Sequence, residues 1–264
     1  MLKVSHVSKT FNPGTVNEKL ALDDFSITIN EGDFITVIGG NGAGKSTFMN
    51  AIAGVWKVDE GKIEIDGEDV TALPEHKRAK YLGRVFQDPM LGTAATMEIQ
   101  ENLALAKRRG LARTLKAGIT KKEIKEYKEM LKILDLGLEE RMTTKVGLLS
   151  GGQRQALTLL MATLKKPKLL LLDEHTAALD PKTAAKVLEI TDKIVKRDNL
   201  TTLMITHNMK DAIAHGNRLI MLNEGKVILD ISGEEKANLT VQDLLKKFEI
   251  ASGEEFVNDK AILG

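Results

Sequence analysis

The sequence contains no cysteine, which excludes a disulfide framework and any thiolate metal site. That composition fits a reducing compartment such as the cytosol. There is no uninterrupted apolar run long enough to cross a bilayer, and the leucine run Leu169 to Leu172 is only a strand's length. The opening residues Met1-Leu2-Lys3-Val4-Ser5-His6 lack the long apolar core of a secretory signal. Charge of either sign is nearly balanced, at a formal +1, so the molecule as a whole carries no nucleic-acid footprint. What remains is 264 residues, 42% of them hydrophobic. That is enough for one large globular domain, or one with subdomains, around a sizeable core.

Charge is less even locally. Lys107, Arg108, Arg109, Arg113, Lys116, Lys121, Lys122 and Lys125 crowd one region with few acids. A solvated helical face explains such a cluster, and so does proximity to an anionic membrane surface. Nucleic acid ranks third, because no aromatic side chain interleaves with the charges.

Short apolar runs recur with helical patterns between them. Phe25 to Ile29 alternates and reads as a half-buried strand; Phe34 to Ile38 is more continuously apolar and reads as a buried one. Lys62 to Gly67 alternates and then turns. Leu169 to Leu172, Thr202 to Ile205 and Leu219 to Leu222 are further strands. The last is followed by Asn223-Glu224-Gly225 and then Lys226 to Ile231, a hairpin pattern. Helical periodicity covers 98–107 and 120–135, the second opened by the capping box Thr120-Lys121-Lys122-Glu123. Residues 153–165 are apolar on nearly every face, which implies a buried helix. Another helix starts at Pro181, behind Asp180. The alternation predicts a mostly parallel sheet wrapped by helices. A nearly all-helical insertion is expected from about 90 to 165, and one amphipathic helix after Gly233, near Val241 to Phe248.

Gly39-Gly40-Asn41-Gly42-Ala43-Gly44-Lys45-Ser46 matches the phosphate-loop pattern G-x-x-x-x-G-K-[ST] in full, between an expected strand and an expected helix. Glycines there let backbone N–H groups turn inward around phosphates, and the helix directs its positive end at the same anion. Lys45 is expected on the β and γ phosphates of ATP, Ser46 on Mg²⁺ and Thr47 on the α phosphate. A chance glycine-rich turn is the alternative, and the strand–loop–helix context opposes it.

Leu149-Ser150-Gly151-Gly152-Gln153 is a second glycine-rich string, at the start of a helix. Alone it is no more than an N-cap. Beside the phosphate loop it resembles the signature of the ABC ATPase family. The resemblance spans roughly residues 2–233, with every family motif in its usual order, and leaves 234–264 as a C-terminal extension. It implies an α/β P-loop NTPase with a RecA-like core, an antiparallel β subdomain and an inserted helical subdomain. It further implies roles for the ends of three apolar strands. Leu169-Leu170-Leu171-Leu172-Asp173-Glu174 ends in two carboxylates: Asp173 supports Mg²⁺ and Glu174 acts as general base on the attacking water, the charge neutralisation and nucleophile positioning that phosphoryl transfer needs. Gln87, in Val85-Phe86-Gln87-Asp88, resembles the glutamine that links Mg²⁺ and water to the helical subdomain. His207 resembles the switch histidine on the γ phosphate, Asp180 the loop that crosses the dimer interface, and Phe11 the ring against adenine. Read singly, Gln87 and His207 are polar residues at strand ends and Asp180 is a helix cap. Two departures stand out: His175 where many relatives carry proline, with a possible effect on the interface loop, and Phe11 in place of tyrosine.

With one copy of each motif, the resemblance implies a head-to-tail homodimer, or pairing with a related ATPase. Each ATP then lies between the phosphate loop of one subunit and Ser150 to Gln153 of the other. It also implies an integral membrane permease and a site of action at the cytoplasmic face of the membrane. ABC ATPases without a permease are the other class. The repair type has a long heptad insertion and the translation type two cassettes, neither found here; the iron–sulfur-assembly type stays open, as does an exporter motor. Phe86-Gln87-Asp88-Pro89-Met90-Leu91-Gly92-Thr93 with Glu101 to Ala106 is similar to a subgroup that works with extracytoplasmic substrate-binding proteins, some of it associated with aromatic amino acids. Import of a small solute such as an amino acid is the expected activity.

Overall fold

Apolar and polar residues alternate only over Leu2 to Ser5 and Phe25 to Ile29, and the computed structural model, which describes residues 1–111 and 118–252, pairs β1 (Leu2–Phe11) and β2 (Lys19–Ile29) as antiparallel strands. Next come β3 (Phe34–Gly39), α1 (Lys45–Ala53), β4 (Glu60–Ile65), β5 (Glu68–Asp69) and α2 (Glu75–Arg78). They are followed by β6 (Leu82–Val85), α3 (Ile99–Lys107), α4 (Lys121–Lys132), α5 (Gly151–Thr163), β7 (Leu169–Asp173) and α6 (Pro181–Asp198). Then come β8 (Thr201–Ile205), α7 (Met209–Ala214), β9 (Arg218–Asn223), β10 (Lys226–Ser232), α8 (Gly233–Ala237) and α9 (Val241–Ser252). The chain divides into two compact units, Met1–Tyr81 with the chain from Leu200 onward, and Leu82–Asn199.

The first unit holds an antiparallel sheet ordered β2-β1-β4-β5 and a mixed one in which β3 lies parallel to both β8 and β9. β9 and β10 form the expected hairpin; Glu224 and Gly225 both take positive φ (47° and 77°), the twist that a two-residue hairpin turn needs. β1 was not apparent in the sequence. The expected helix near Val241 to Phe248 is α9, and among the described residues of the tail α8 precedes it. α9 is anchored by Leu244 and Phe248, which join Ile38, Met209, Leu219 and Met221 in one buried cluster. Burial of each such side chain contributes about 1.5–3 kcal/mol.

Arg78 is the largest fully buried side chain of this unit. Its Nη1 donates to the carbonyls of Ala51 (2.6 Å) and Ile52 (2.9 Å), its Nε to Leu73 (2.8 Å) and its Nη2 to Thr71 (2.9 Å). It thereby caps the C-terminal end of α1, adding to the bond that the Ala51 carbonyl accepts from Gly54 N–H (3.2 Å). Burial pushes its pKa down, with the Asp69 charge opposing. Arg78→Met removes the donors and leaves the acceptors buried. A loss of about 2–4 kcal/mol in urea unfolding is expected; a loss below about 1 kcal/mol would show that water replaces the guanidinium.

In the second unit β6 and β7 run parallel, with Leu82 opposite Leu169 and Val85 opposite Leu172. α4 carries the expected capping box: Thr120 Oγ1 accepts from Glu123 N–H (3.2 Å) and Glu123 accepts from Thr120 N–H (2.9 Å). The stretch 90–165 is less helical than expected. Residues 88–98 form turns, and Leu138–Glu140 and Val146–Leu148 are single 3₁₀ turns. Asn102, buried, explains part of this: it accepts from Ala94 N–H (2.8 Å) and donates to the carbonyls of Ala94 and Glu98, competing with helical pairing. The basic cluster is mostly partnered. Lys107 pairs with Glu126 (2.6 Å), Arg108 with Glu123 (2.9 Å), and Arg109 donates to the carbonyl of Lys165 (3.1 Å). Lys121, Lys122 and Lys125 lie on an exposed face of α4, as a solvated helix requires. Arg113 and Lys116 lie outside the described residues. Among the described residues, no helix is long and apolar enough to cross a membrane.

Candidate active site

In the first unit the continuously buried β3 delivers the chain into the glycine-rich loop. Gly39 and Gly44 both have positive φ (149° and 101°). A Cβ at Gly39 would lie 2.3 Å from the Leu222 carbonyl oxygen and one at Gly44 2.6 Å from that of Ala21, so backbone, not a flexible side chain, excludes any other residue there. A Cβ at Gly40 would meet nothing within 4 Å, and Asn41 and Gly42 are exposed. Ala43 is buried. Lys45 opens α1 and is 5% exposed; its Nζ donates to the carbonyls of Gly39 (2.7 Å) and Gly40 (3.0 Å), closing the loop on itself. Ser46 is exposed and Thr47 buried in the first turn. A nine-residue helix begins where the loop ends, so its unpaired N–H groups and positive end face the loop. This is a cradle for a phosphate chain.

His207 follows β8, is exposed, and shares a small cavity with Gly39, Gly40, Thr206 and Phe248 of α9. Phe11 is half-buried at the end of β1. Its ring meets the Trp56 ring edge-on (centroids 4.8 Å apart, 79° between planes), and Lys9 Nζ lies 5.6 Å from its centroid.

In the second unit β7 ends at Asp173. Asp173 Oδ2 accepts from Arg84 Nη2 at 3.4 Å, and the Arg84 guanidinium also lies 4.6 Å from the Phe86 ring centroid. Glu174 follows in the left-handed region, φ 47°. Gln87 is exposed beyond the end of β6. Ser150 caps α5: its Oγ accepts from Gln153 N–H (3.3 Å), and Gln153 Oε1 accepts from Ser150 N–H (3.2 Å). Gly152 abuts α6 so closely that a Cβ would lie 2.1 Å from Thr183 Cγ2. Asp180 accepts from Thr183 N–H (3.1 Å), and bonding from the Thr183 hydroxyl, then from its N–H, holds the carboxyl below its ordinary pKa. The fold thus packs Gly151 and Gly152 against the loop and helix that Asp180 begins. His175 is buried, its Nε2 3.1 Å from Thr191 Oγ1, rather than displayed on the loop.

A loop built to hold phosphates, an apolar strand ending in paired carboxylates and a capped glycine-rich helix start match a known family: residues 22–177 match the family described as ABC transporter. The chain belongs to the ABC transporter family. It is 48% identical over 256 residues to the tyrosine transport ATP-binding protein of Clostridioides difficile (strain R20291), covering 95% of this chain and 100% of that one. The spermidine/putrescine import ATP-binding protein PotA of Haemophilus influenzae is 33% identical over 246 residues, 91% of this chain but 61% of PotA. A nucleotide-free ATP-binding cassette from an ABC transporter superposes with a TM-score of 0.77 at 29% identity, covering 96% of this chain and 99% of that one. A dimeric post-hydrolysis cassette bound to ADP and Pi gives a TM-score of 0.74 at 30% identity, over 88% and 98% of the two chains. The fold is therefore the α/β P-loop cassette, with its antiparallel β subdomain and inserted helices, and the chain is an ATP-binding and ATP-hydrolysing subunit of an ABC transporter.

Three residues of this cassette's site region were missed in the sequence. Trp56 supports the Phe11 ring, and Arg84 offsets the charge of Asp173. Gln155, buried one turn into α5, donates from Nε2 to the Phe86 carbonyl (3.0 Å) and so ties the signature helix to the strand end beside Gln87. A polar residue inside an otherwise apolar helix was the signal available for Gln155.

Proposed function

We propose that the chain powers uptake of a small solute, an amino acid such as tyrosine, through a separate integral membrane permease supplied by an extracytoplasmic substrate-binding protein. It works at the cytoplasmic face of the membrane, as a homodimer or paired with a related ATPase subunit. The observation that carries this reading is the 48% identity, over the full length of the relative, to a tyrosine transport ATP-binding protein.

The ATPase domain is assigned to about 2–233, its helical subdomain to about 90–165, and the rest to a C-terminal extension. Phe11 stacks on adenine. The amides of Gly39, Gly40, Asn41, Gly42, Ala43 and Gly44 surround the phosphates, Lys45 binds the β and γ groups, and Thr47 the α phosphate. Ser150, Gly151, Gly152 and Gln153 of one subunit close on the nucleotide of the other, with Asp180 at the crossing loop. Mg²⁺ fits the donor set: among the described residues no group of three or more His, Asp or Glu is placed to hold a metal alone, and an ion that arrives on a nucleotide's phosphates needs only one or two protein ligands. The exposed Ser46 hydroxyl supplies one, and Gln87 and Asp173 support it. Bound Mg²⁺ neutralises the β and γ oxygens. Glu174 accepts the proton of the attacking water, and His207 contacts the γ phosphate.

Met90 and Leu91 are 42% and 70% exposed, directly after the buried Pro89; Met97 is half-buried. We assign Met90 and Leu91 to the surface that docks a permease helix. In cells whose own copy is deleted, the wild-type chain should restore uptake of labelled tyrosine. Met90→Glu should not, because a docking side chain worth roughly 1–3 kcal/mol is lost, while ATP hydrolysis by the purified protein stays unchanged. Uptake and permease pull-down equal to wild type would remove Met90 from the docking surface. Unfolding would place it in the core.

A further inference from the structure

His175 is an imidazole 2% exposed that the proposed chemistry does not use. It lies next to Glu174, the one residue of the strand end with positive φ, at 47°. A glutamate adopts that region rarely, and keeps it only where its surroundings hold it there. Here the hold is visible. Ala177 N–H donates to the Glu174 carbonyl at 2.9 Å, closing a turn over Glu174, His175, Thr176 and Ala177, and Leu179 N–H donates to Thr176 at 3.1 Å. His175 occupies the first corner of that turn and points into the protein. Its Nε2 lies 3.1 Å from Thr191 Oγ1, on α6. Thr191 is fully buried, and its hydroxyl donates to the Val187 carbonyl at 2.9 Å. The Thr191 hydroxyl therefore bonds both His175 Nε2 and the Val187 carbonyl, accepting from the ring in one tautomer and donating to it in the other. The link runs from His175 through Thr191 to Val187, from the turn into the body of the helix that Asp180 caps.

Backbone rotation at Glu174 would swing its carboxylate, and general-base catalysis tolerates little displacement of the base from its water. We infer that His175, acting through Thr191, is a positioning residue that holds Glu174 in its left-handed conformation and so aims its carboxylate. The inference rests on the assignment of Glu174 as general base. It differs from a packing role, which would use the shape of His175 but not the hydrogen bond.

The test uses the full chain and steady-state ATP hydrolysis. Thr191→Val keeps the side chain's volume and deletes the hydroxyl. It should lower kcat about tenfold, with KM for ATP within about twofold of wild type. Thr191→Ser restores the hydroxyl and should restore at least about half of kcat. In a Glu174→Gln background, adding Thr191→Val should cost less than about twofold more, because the carboxylate being aimed is gone. Wild-type kcat in Thr191→Val, equal loss in Thr191→Ser, or a full further loss in the Glu174→Gln background would each overturn the positioning role. If Thr191→Val does not fold, His175→Gln, whose amide keeps a hydrogen-bonding group near Nε2, should retain at least about fivefold more kcat than His175→Leu; equal values would overturn it. Wild-type turnover in Glu174→Gln alone would overturn the base assignment and the positioning role with it. Turnover lost in Glu174→Gln but kept in Thr191→Val would overturn the positioning role alone.

Discussion

Glu174→Gln is expected to slow ATP hydrolysis by roughly 10²- to 10⁴-fold, the range that a lost general base costs, while ATP still binds. Glutamine has the same shape and the same backbone preferences, so the turn that closes on the Glu174 carbonyl has no reason to open. Only the ability to take a proton from water is removed. The phosphate loop is untouched: Lys45 still spans the carbonyls of Gly39 and Gly40, and ATP affinity should stay within about threefold, less than 1 kcal/mol. Binding without turnover should trap the nucleotide-bound assembly, so size-exclusion chromatography in ATP and Mg²⁺ should show a dimer that the wild type shows only transiently. A Glu174→Gln protein that hydrolyses ATP at the wild-type rate would remove Glu174 from its role, and hydrolysis would then need a base elsewhere.

What could be read from the sequence is what local chemistry determines. The loop from Gly39 to Ser46 is contiguous and each glycine answers to its own backbone, so pattern alone located it. The same holds for the β9–β10 turn, for the capping box of α4, for the helix start at Ser150, and for Asp180 ahead of Pro181. β1 escaped because its alternation breaks. Leu2 and Val4 are buried on one parity and Val7 on the other, since His6 takes φ 52° and the pairing with β2 and β4 slips between Val4 and Val7 and between Ser5 and Ser8. A bulge of this kind shifts every later side chain to the opposite face. The turns before α3 escaped because Asn102, eight residues away from Ala94, satisfies their backbone. Arg78, Arg84 and Gln155 escaped for a related reason. Each looks like an ordinary polar residue until tertiary structure brings its acceptor to it: Ala51 27 residues away, Asp173 89 away and Phe86 69 away. His175 stood out in the sequence as a departure, but its burial against Thr191 depends on how α6 packs.

Lys45→Ala should lower ATP affinity or turnover by at least about 10²-fold with the fold preserved. Two effects combine at this position. The ammonium is the loop's only full positive charge, and a charge-assisted bond to phosphate is worth about 1.5–3 kcal/mol, roughly ten- to 150-fold. The same group is 5% exposed and fastens the Gly39 and Gly40 carbonyls at 2.7 and 3.0 Å, so its removal also loosens the loop that must present its amides to the phosphates. The helix should survive, because alanine is the best helix former and α1 is held at its far end by Arg78 and along its buried face by Phe48, Met49 and Ile52. Circular dichroism should therefore match wild type while nucleotide titration moves. Lys45→Arg separates the two effects. It keeps the charge, but a planar five-donor fork does not reproduce a compact ammonium set between two carbonyls, so binding should recover only in part. Full recovery in Lys45→Arg would mean that charge alone matters and that the two carbonyl bonds are incidental. Unchanged ATP binding and turnover in Lys45→Ala would mean that residues 39–46 do not hold the phosphates at all.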